Sequence, residues 1–317
     1  MTLRQTLKQA LPTGAFRLLQ VVRHPSWYVE MNRTRLIVGG AKSAPAYLPM
    51  SDLEALQVRY SPPPEYRYDP SALEARGEQR VAQMMRLPGA AGARSFLELG
   101  CGDGMVSCCL VRHGKDVTAI DSRGNGFDER AVAEGVKLLE MDAEHLAFPD
   151  ETFDYVFSYD SFEHFGSPEK VLREAIRVVK KNGFVFLWFG PLFYSAYGQH
   201  IYRTITVPYS QCLFEQSLMS EFIAKRDIAP FDFSQMNGWG VTRFRALWKK
   251  YAKTLKPVRY DEKLDISQLA LIRAYPSCFK DKSSHFEDFT VASISALFTK
   301  VDGRLPEPVA DDVASGS

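Results

Sequence analysis

The chain has 317 residues, 45% of them hydrophobic and 24% charged, which suits a globular protein with one main core and excludes a disordered or fibrous class. Thirty-nine basic residues against 38 acidic ones leave a net charge of +1, which removes the electrostatic case for wholesale capture of nucleic acid or an anionic membrane. Five cysteines, Cys101, Cys108, Cys109, Cys212 and Cys278, form an odd set without C-x-x-C spacing, so neither a disulfide framework nor a zinc site is expected and a reducing cytoplasm fits best. No run of about eighteen apolar residues marks an integral membrane segment.

Residues 1–25 carry Arg4, Lys8, Arg17 and Arg23 with no acidic residue, the charge bias of a targeting or membrane-surface segment. Pro12 and Gly14 interrupt it, and its apolar positions favour two short helices docked on the main domain. Residues 1–66 as a whole read as an irregular N-terminal extension. It ends in "YSPPPEYRYDP", where three consecutive prolines force extended backbone and form a stiff boundary. Asp69 then caps a helix with Pro70 at its first position and Leu73, Val81, Met84 and Met85 on its apolar side.

From Arg94 strands and helices alternate. "RSFLEL" reads as a strand, "GMVSCCLVRHG" as a helix closed by Gly114, "DVTAID" as a strand, "FDERAVAEG" as a helix closed by Gly135, and "VKLLEMD" as a strand. "DYVFS" is the next strand and "SPEKVLREAIRVVKKNG" the next helix, with Ser167 as cap, Pro168 in the first turn, and basic residues and Gly183 at its end. "FVFLWF" is apolar on both faces, as at the centre of a parallel sheet. This alternation predicts a doubly wound α/β sheet.

After Gly190 the pattern stops. Residues 191–240 contain ten aromatics, among them Tyr194, Tyr197, Tyr202, Tyr209, Phe214 and Trp239, and read as an insertion. The helix "VTRFRALWKKYAK", a strand at "KPVRY" and the alternating "TVASISALFTK" resume the sheet up to about residue 300, and residues 301–317 read as a disordered tail. A main domain therefore spans 67–300.

Within it, "FLELGCGDGMVS" (Phe96–Ser107) places three glycines in five residues. So bare a backbone implies positive φ angles or close approach of a ligand. The dinucleotide pattern G-x-G-x-x-G fails in both frames, with Met105 or Ser107 at the third glycine position. In "VGGAKS", Ala41 stands where a phosphate loop needs glycine, so that loop is not expected.

"LELGCGDG" resembles the first motif of class I S-adenosylmethionine-dependent methyltransferases, an acidic residue followed by G-x-G-x-G between the first strand and first helix. Asp121, ending "VTAID", matches that family's ribose-binding acid, and "MDAEHLAFPDETFDYVFSYDSFEHF" is similar to its third and fourth strand ends. The resemblance covers roughly residues 94–190. It implies a Rossmann-like, doubly wound, mostly parallel seven-stranded sheet with helices on both faces and a lid insertion, and S-adenosyl-L-methionine as cofactor. It further implies that Gly100, Gly102 and Gly104 admit the methionyl part, with Glu98 on its ammonium side. Asp121 would bind the ribose hydroxyls, Asp142 the adenine amine and the Ala143 backbone the adenine ring, with Ser122 and Tyr159 beside them. Glu98, Asp121 and Asp142 lie at carboxyl ends of strands, where open α/β sheets bind ligands.

Methyl transfer is an in-line displacement that needs alignment and exclusion of water. It does not require a metal, and no metal site is expected. A hydroxyl acceptor gains from a base with a near-neutral pKa, which points to histidine. His164, in "SFEHF", stands at the rim after the fourth strand or serves the start of the next helix. His200, in the aromatic insertion where the family commonly recognises its acceptor, is the preferred base. His145 reads as a surface residue, His285 as part of a solvated loop, and His24 and His113 belong to no constellation. The insertion's aromatics fit either a small core or an acceptor lid. The expected activity is methylation of a small-molecule hydroxyl, of a sugar or secondary metabolite. The alternatives are a protein or nucleic-acid methyltransferase and a cofactor-binding protein without catalysis, and no N-P-P-Y-like amine-methylating signature follows the fourth strand.

Overall fold

The computed structural model describes residues 25–42, 46–64, 67–303 and 305–306. The expectations for residues 1–24 and for the tail beyond 306 lie outside the described residues. Seven strands form one sheet: β1 Ser95–Leu99, β2 Asp116–Asp121, β3 Lys137–Glu140, β4 Phe153–Tyr159, β5 Val179–Phe189, β6 Leu255–Leu264 and β7 Val291–Lys300. Their order is β3-β2-β1-β4-β5-β7-β6, with only β7 antiparallel to its neighbours. The chain steps outward from β1 to β3, then crosses back to place β4 on the other side of β1. That reversal opens a crevice above the carboxyl ends of β1 and β4.

Alternation along the strands decides which side chains meet which helices. Leu97 and Leu99 of β1, Val156 of β4 and Val185 and Leu187 of β5 share a core with Val171, Leu172 and Ile176 of the helix Pro168–Val178 and with Val241, Phe244 and Leu247 of the helix Val241–Lys250. Phe96, Tyr155, Phe157 and Phe186 face the other way, against Val81 and Met84 of the helix Pro70–Met84 and Val106 and Leu110 of the helix Met105–Arg112. Glu98, two residues from Phe96, therefore points toward the Met105–Arg112 helix. As expected, Asp69 caps the Pro70–Met84 helix by accepting from the Ala72 N–H at 3.1 Å.

Three stretches depart from the sequence reading. The helix expected to reach Gly183 stops at Val178, and "VKKNG" begins the eleven-residue β5. Its lysines do not complement a helix end: Lys180 pairs with Asp154 at 2.7 Å and Lys181 with Asp302 at 2.6 Å. Ser167 makes no side-chain cap, and its N–H is donated to Glu144 Oε1 at 2.8 Å. The N-terminal extension, expected to be irregular, contains the helices Pro25–Gly39 and Met50–Gln57. Short helices at Leu269–Ala274 and Pro276–Phe279 lie between β6 and β7.

These pieces share one purpose. Val38, Leu53 and Leu56 from the extension, Ile205, Tyr209, Phe214 and Phe222 from the insertion, and Ile272, Phe279 and Phe289 from the β6–β7 connection form a second buried core. Polar contacts tie it together: Gln57 donates to the Thr204 carbonyl at 3.1 Å and accepts from the Thr206 N–H at 2.9 Å, and Arg273 pairs with Glu30 at 2.9 Å. No helix among the described residues is long and apolar enough to cross a membrane.

Candidate functional site

Above the carboxyl ends of β1, β2 and β4 lies a cavity of about 1100 Å³. Its floor is the glycine loop, where Gly100, Gly102 and Gly104 take φ of +69°, +54° and +78°. At Gly100 a Cβ would come within 2.6 Å of the Ser161 Cβ, whereas at Gly102 it would meet nothing within 4 Å. Gly100 thus holds the loop against the β4 end, and Gly102 presents bare backbone to open space, as a closely approaching ligand requires. The loop is pinned from below: the Gly100 and Cys101 N–H groups both donate to the Ile120 carbonyl at 2.9 Å, and the Gly102 N–H donates to Asp121 Oδ2 at 2.9 Å.

All nine residues expected to bind cofactor, Glu98, Gly100, Gly102, Gly104, Asp121, Ser122, Asp142, Ala143 and Tyr159, lie on or beside these strand ends, and all but Gly104 line the cavity. Glu98 is 2% exposed and accepts from the Ser107 hydroxyl at 2.5 Å. Burial pushes its carboxyl up to about 8, against the pull of the Ser107 bond. Asp121 also accepts from the Arg123 N–H at 3.0 Å. Asp142 accepts from the Glu144 N–H at 2.9 Å, the main reason its carboxyl lies below the usual range, and pairs with His145 at 3.0 Å. Tyr159 is the exception in kind. Its hydroxyl donates to the Arg80 carbonyl at 3.0 Å and its ring packs on Phe157, Phe186 and Trp188, so it offers the cavity a wall and no free hydroxyl.

The two histidines singled out in the sequence meet. Their ring centroids lie 4.9 Å apart at 81°, at the end of the cavity formed by Gly190, Pro191 and Gln235. His164 Nδ1 bonds the Gln235 carbonyl at 2.7 Å and His200 Nε2 bonds the Pro191 carbonyl at 3.1 Å. A carbonyl only accepts, so these nitrogens carry the protons, leaving lone pairs on His164 Nε2 and His200 Nδ1. Burial lowers the pKa of both rings, that of His200 to about 4, with the neighbouring His164 adding to the effect. His200 holds a φ of +60°, a strained conformation for a residue with a side chain.

Sequence reasoning missed Glu163. It is 1% exposed, one oxygen accepts the Gly190 N–H at 2.9 Å, and the other has no hydrogen-bond partner. Burial raises its carboxyl to about 8, with Asp160 contributing. Its signal lay in "SFEHF", where an acid precedes the histidine, but an acid near a helix start has an ordinary explanation. Arg76 and Arg80, paired with Asp103 and Asp160, also line the cavity without having been singled out.

Residues 97–187 match the family model of a methyltransferase domain. The chain is 33% identical over 101 residues to 2-methyl-6-phytyl-1,4-hydroquinone methyltransferase 1 of Oryza sativa subsp. japonica, covering 30% of each chain. It is 30% identical over 133 residues to a ubiquinone biosynthesis O-methyltransferase of Bordetella avium, covering 39% of this chain and 53% of that one. Over 98 residues it is 40% identical to a phosphatidylethanolamine N-methyltransferase of Cereibacter sphaeroides, covering 29% and 48%. The chain thus spans from under a third to about half the length of these relatives. Among solved structures, a putative S-adenosylmethionine-dependent methyltransferase from Listeria monocytogenes aligns at 17% identity and a TM-score of 0.46, over 72% of this chain and 100% of that one. Over residues 97–187, then, the chain is similar to methyltransferase domains, and those residues run from β1 to β5 of the sheet described above.

Proposed function

We propose that the chain methylates a hydroxyl of a small molecule, of the sugar or secondary-metabolite kind, using S-adenosyl-L-methionine. The observation that carries this reading is the single cavity reaching from the glycine loop to the histidine pair. Its volume of about 1100 Å³ is near the upper end of small-molecule sites. The residues fit the cofactor. Glu98 offers a buried carboxyl to an ammonium, and Gly102 offers bare backbone. Asp121 Oδ1 accepts from the Arg123 N–H and Nε, and Oδ2 accepts from the Gly102 N–H with a lone pair to spare for a ribose hydroxyl. Asp142 and the Ala143 backbone take the adenine end.

Bound there, the cofactor supplies a sulfonium methyl open to displacement. The protein's part is to align the acceptor, exclude water and accept a proton. The insertion at 191–240 supplies the lid: Pro191, His200, Tyr202 and Gln235 reach the cavity, while its apolar residues pack into the second core. A lone pair on His200, with His164 second, is placed to accept the hydroxyl proton. Five unpaired, buried thiols suit a reducing cytoplasm. Calorimetric titration with S-adenosylhomocysteine, followed by a labelled-methyl screen of small hydroxyl acceptors, tests the proposal. Tight binding of a nicotinamide dinucleotide with no binding of S-adenosylhomocysteine would overturn it, and cofactor binding without turnover on any acceptor would favour a non-catalytic role.

A further inference from the structure

The end of the cavity holds more than a base needs. One donor atom from each of Glu163, His164 and His200 lies within 4.8 Å of the other two. Each side chain is fixed by a backbone partner that leaves it able to ligate. The Gly190 N–H holds one oxygen of Glu163 and leaves the other, wholly buried, without a partner. The Gln235 and Pro191 carbonyls each hold one imidazole nitrogen and leave a lone pair on the other. Carbonyls that fix a tautomer in this way are the usual supports of metal-bound histidines. A carboxyl oxygen so buried and without a hydrogen-bond partner calls for an explanation, and a ligated cation supplies one.

We propose that Glu163, His164 and His200 form a binding site for a divalent transition-metal cation at the acceptor end of the cavity. Two imidazoles and a carboxylate suit zinc and its first-row neighbours, and three protein ligands leave a position open toward the cavity. At bond lengths of about 2.0–2.2 Å, tetrahedral donors stand roughly 3.3 Å apart, so the three side chains close on the ion by shifts of about an ångström. The cation's role rests on the methyltransferase reading. Beside it, an acceptor hydroxyl becomes more acidic and loses its proton to solvent, and its oxygen lone pair forms the O–C bond as the C–S bond of the sulfonium breaks. With the cation bound the imidazoles ligate it, and this replaces the role of proton acceptor given to His200 and His164 above. No electron transfer is involved.

The test is titration of the purified, metal-stripped full chain with Co²⁺, followed by calorimetry and by the cobalt absorption spectrum, with S-adenosylhomocysteine titrated in parallel. The expected result is one Co²⁺ per chain with a spectrum of nitrogen and oxygen ligation, displaced by Zn²⁺. Glu163→Gln and His200→Ala should each weaken binding by about 100-fold or more, since even supporting residues cost about 10- to 100-fold. Circular dichroism melting checks that the variants fold, and His164→Ala replaces either that does not. Absence of saturable Co²⁺ binding, or an affinity unchanged in every folded variant, overturns the site. Cofactor binding without metal binding overturns this inference alone. Metal binding without cofactor binding supports the site and overturns the methyltransferase reading.

Discussion

Glu98→Gln probes the floor of the site through the proton that burial forces onto it. In the folded chain this carboxyl holds its proton to about pH 8, against an ordinary value of 4.5. The folded state therefore binds the proton more tightly than the unfolded one. The stability that the neutral carboxyl contributes is fully present below pH 4.5 and is lost progressively as pH rises toward 8. At about 1.4 kcal/mol per pH unit, the loss reaches about 3 kcal/mol at pH 7. Glutamine keeps the shape, can still accept the Ser107 hydroxyl and has no proton to lose. Urea unfolding of both proteins should give a stability difference, variant minus wild type, that grows by about 1.4 kcal/mol per unit between about pH 5 and pH 8. Contributions from other titrating groups cancel in that difference. A difference independent of pH would refute the buried, protonated Glu98. If Glu98 also faces the ammonium of the cofactor, binding must ionise it and release a proton. The heat of S-adenosylhomocysteine binding near neutral pH should then depend on the buffer's ionisation enthalpy in the wild type and not in the variant.

Asp121→Ala should weaken S-adenosylhomocysteine binding by roughly 1.5–3 kcal/mol, the scale of hydrogen bonds to a charged group, and an unchanged dissociation constant would remove Asp121 from the site. Gly100→Ala forces a Cβ at φ +69° to within 2.6 Å of Ser161 and should cost about 1–3 kcal/mol, read from the urea midpoint; an unshifted midpoint would show that the loop relaxes freely. His200→Ala should lower turnover by about 10²- to 10⁴-fold with cofactor affinity intact, and wild-type turnover on the natural acceptor would exclude it from the chemistry. An equal loss in His164→Ala alone would move the proton acceptor there.

The strand-end half of the cavity was legible because its residues fall at the ends of successive strands, and parallel topology carries sequence order into space. Glu98, Asp121 and Asp142 lie within two residues of the ends of β1, β2 and β3, neighbours in the sheet, so reading them in order was close to reading them in place. Tyr159 shows the limit of that logic. Position brought it to the rim, but what its hydroxyl does depends on the Arg80 carbonyl 79 residues away. The start of β5 was illegible for a similar reason, because "VKKNG" continues a helical pattern and only Asp154 and Asp302 show that its lysines belong to a strand.

The histidine end of the cavity obeys no such order. His164 and His200 could be named singly, yet their meeting depends on the Pro191 carbonyl that holds His200 and on Gln235, 71 residues from His164. The helices of the extension carry too little apolar periodicity to announce themselves; they are ordered by what they cover, as when Gln57 bonds Thr206, 149 residues on. The same core limits how the insertion at 191–240 can be cut. Its apolar residues share a core with the extension and with the β6–β7 connection, so replacing 191–240 by a short linker would uncover Leu53, Leu56, Ile272 and Phe279 together. Loss of methylation in such a deletion would report the collapse of that core as readily as the loss of an acceptor pocket. That end of the cavity is therefore better dissected by single changes at Glu163, His164 and His200, whose side chains line it and do not belong to the second apolar core.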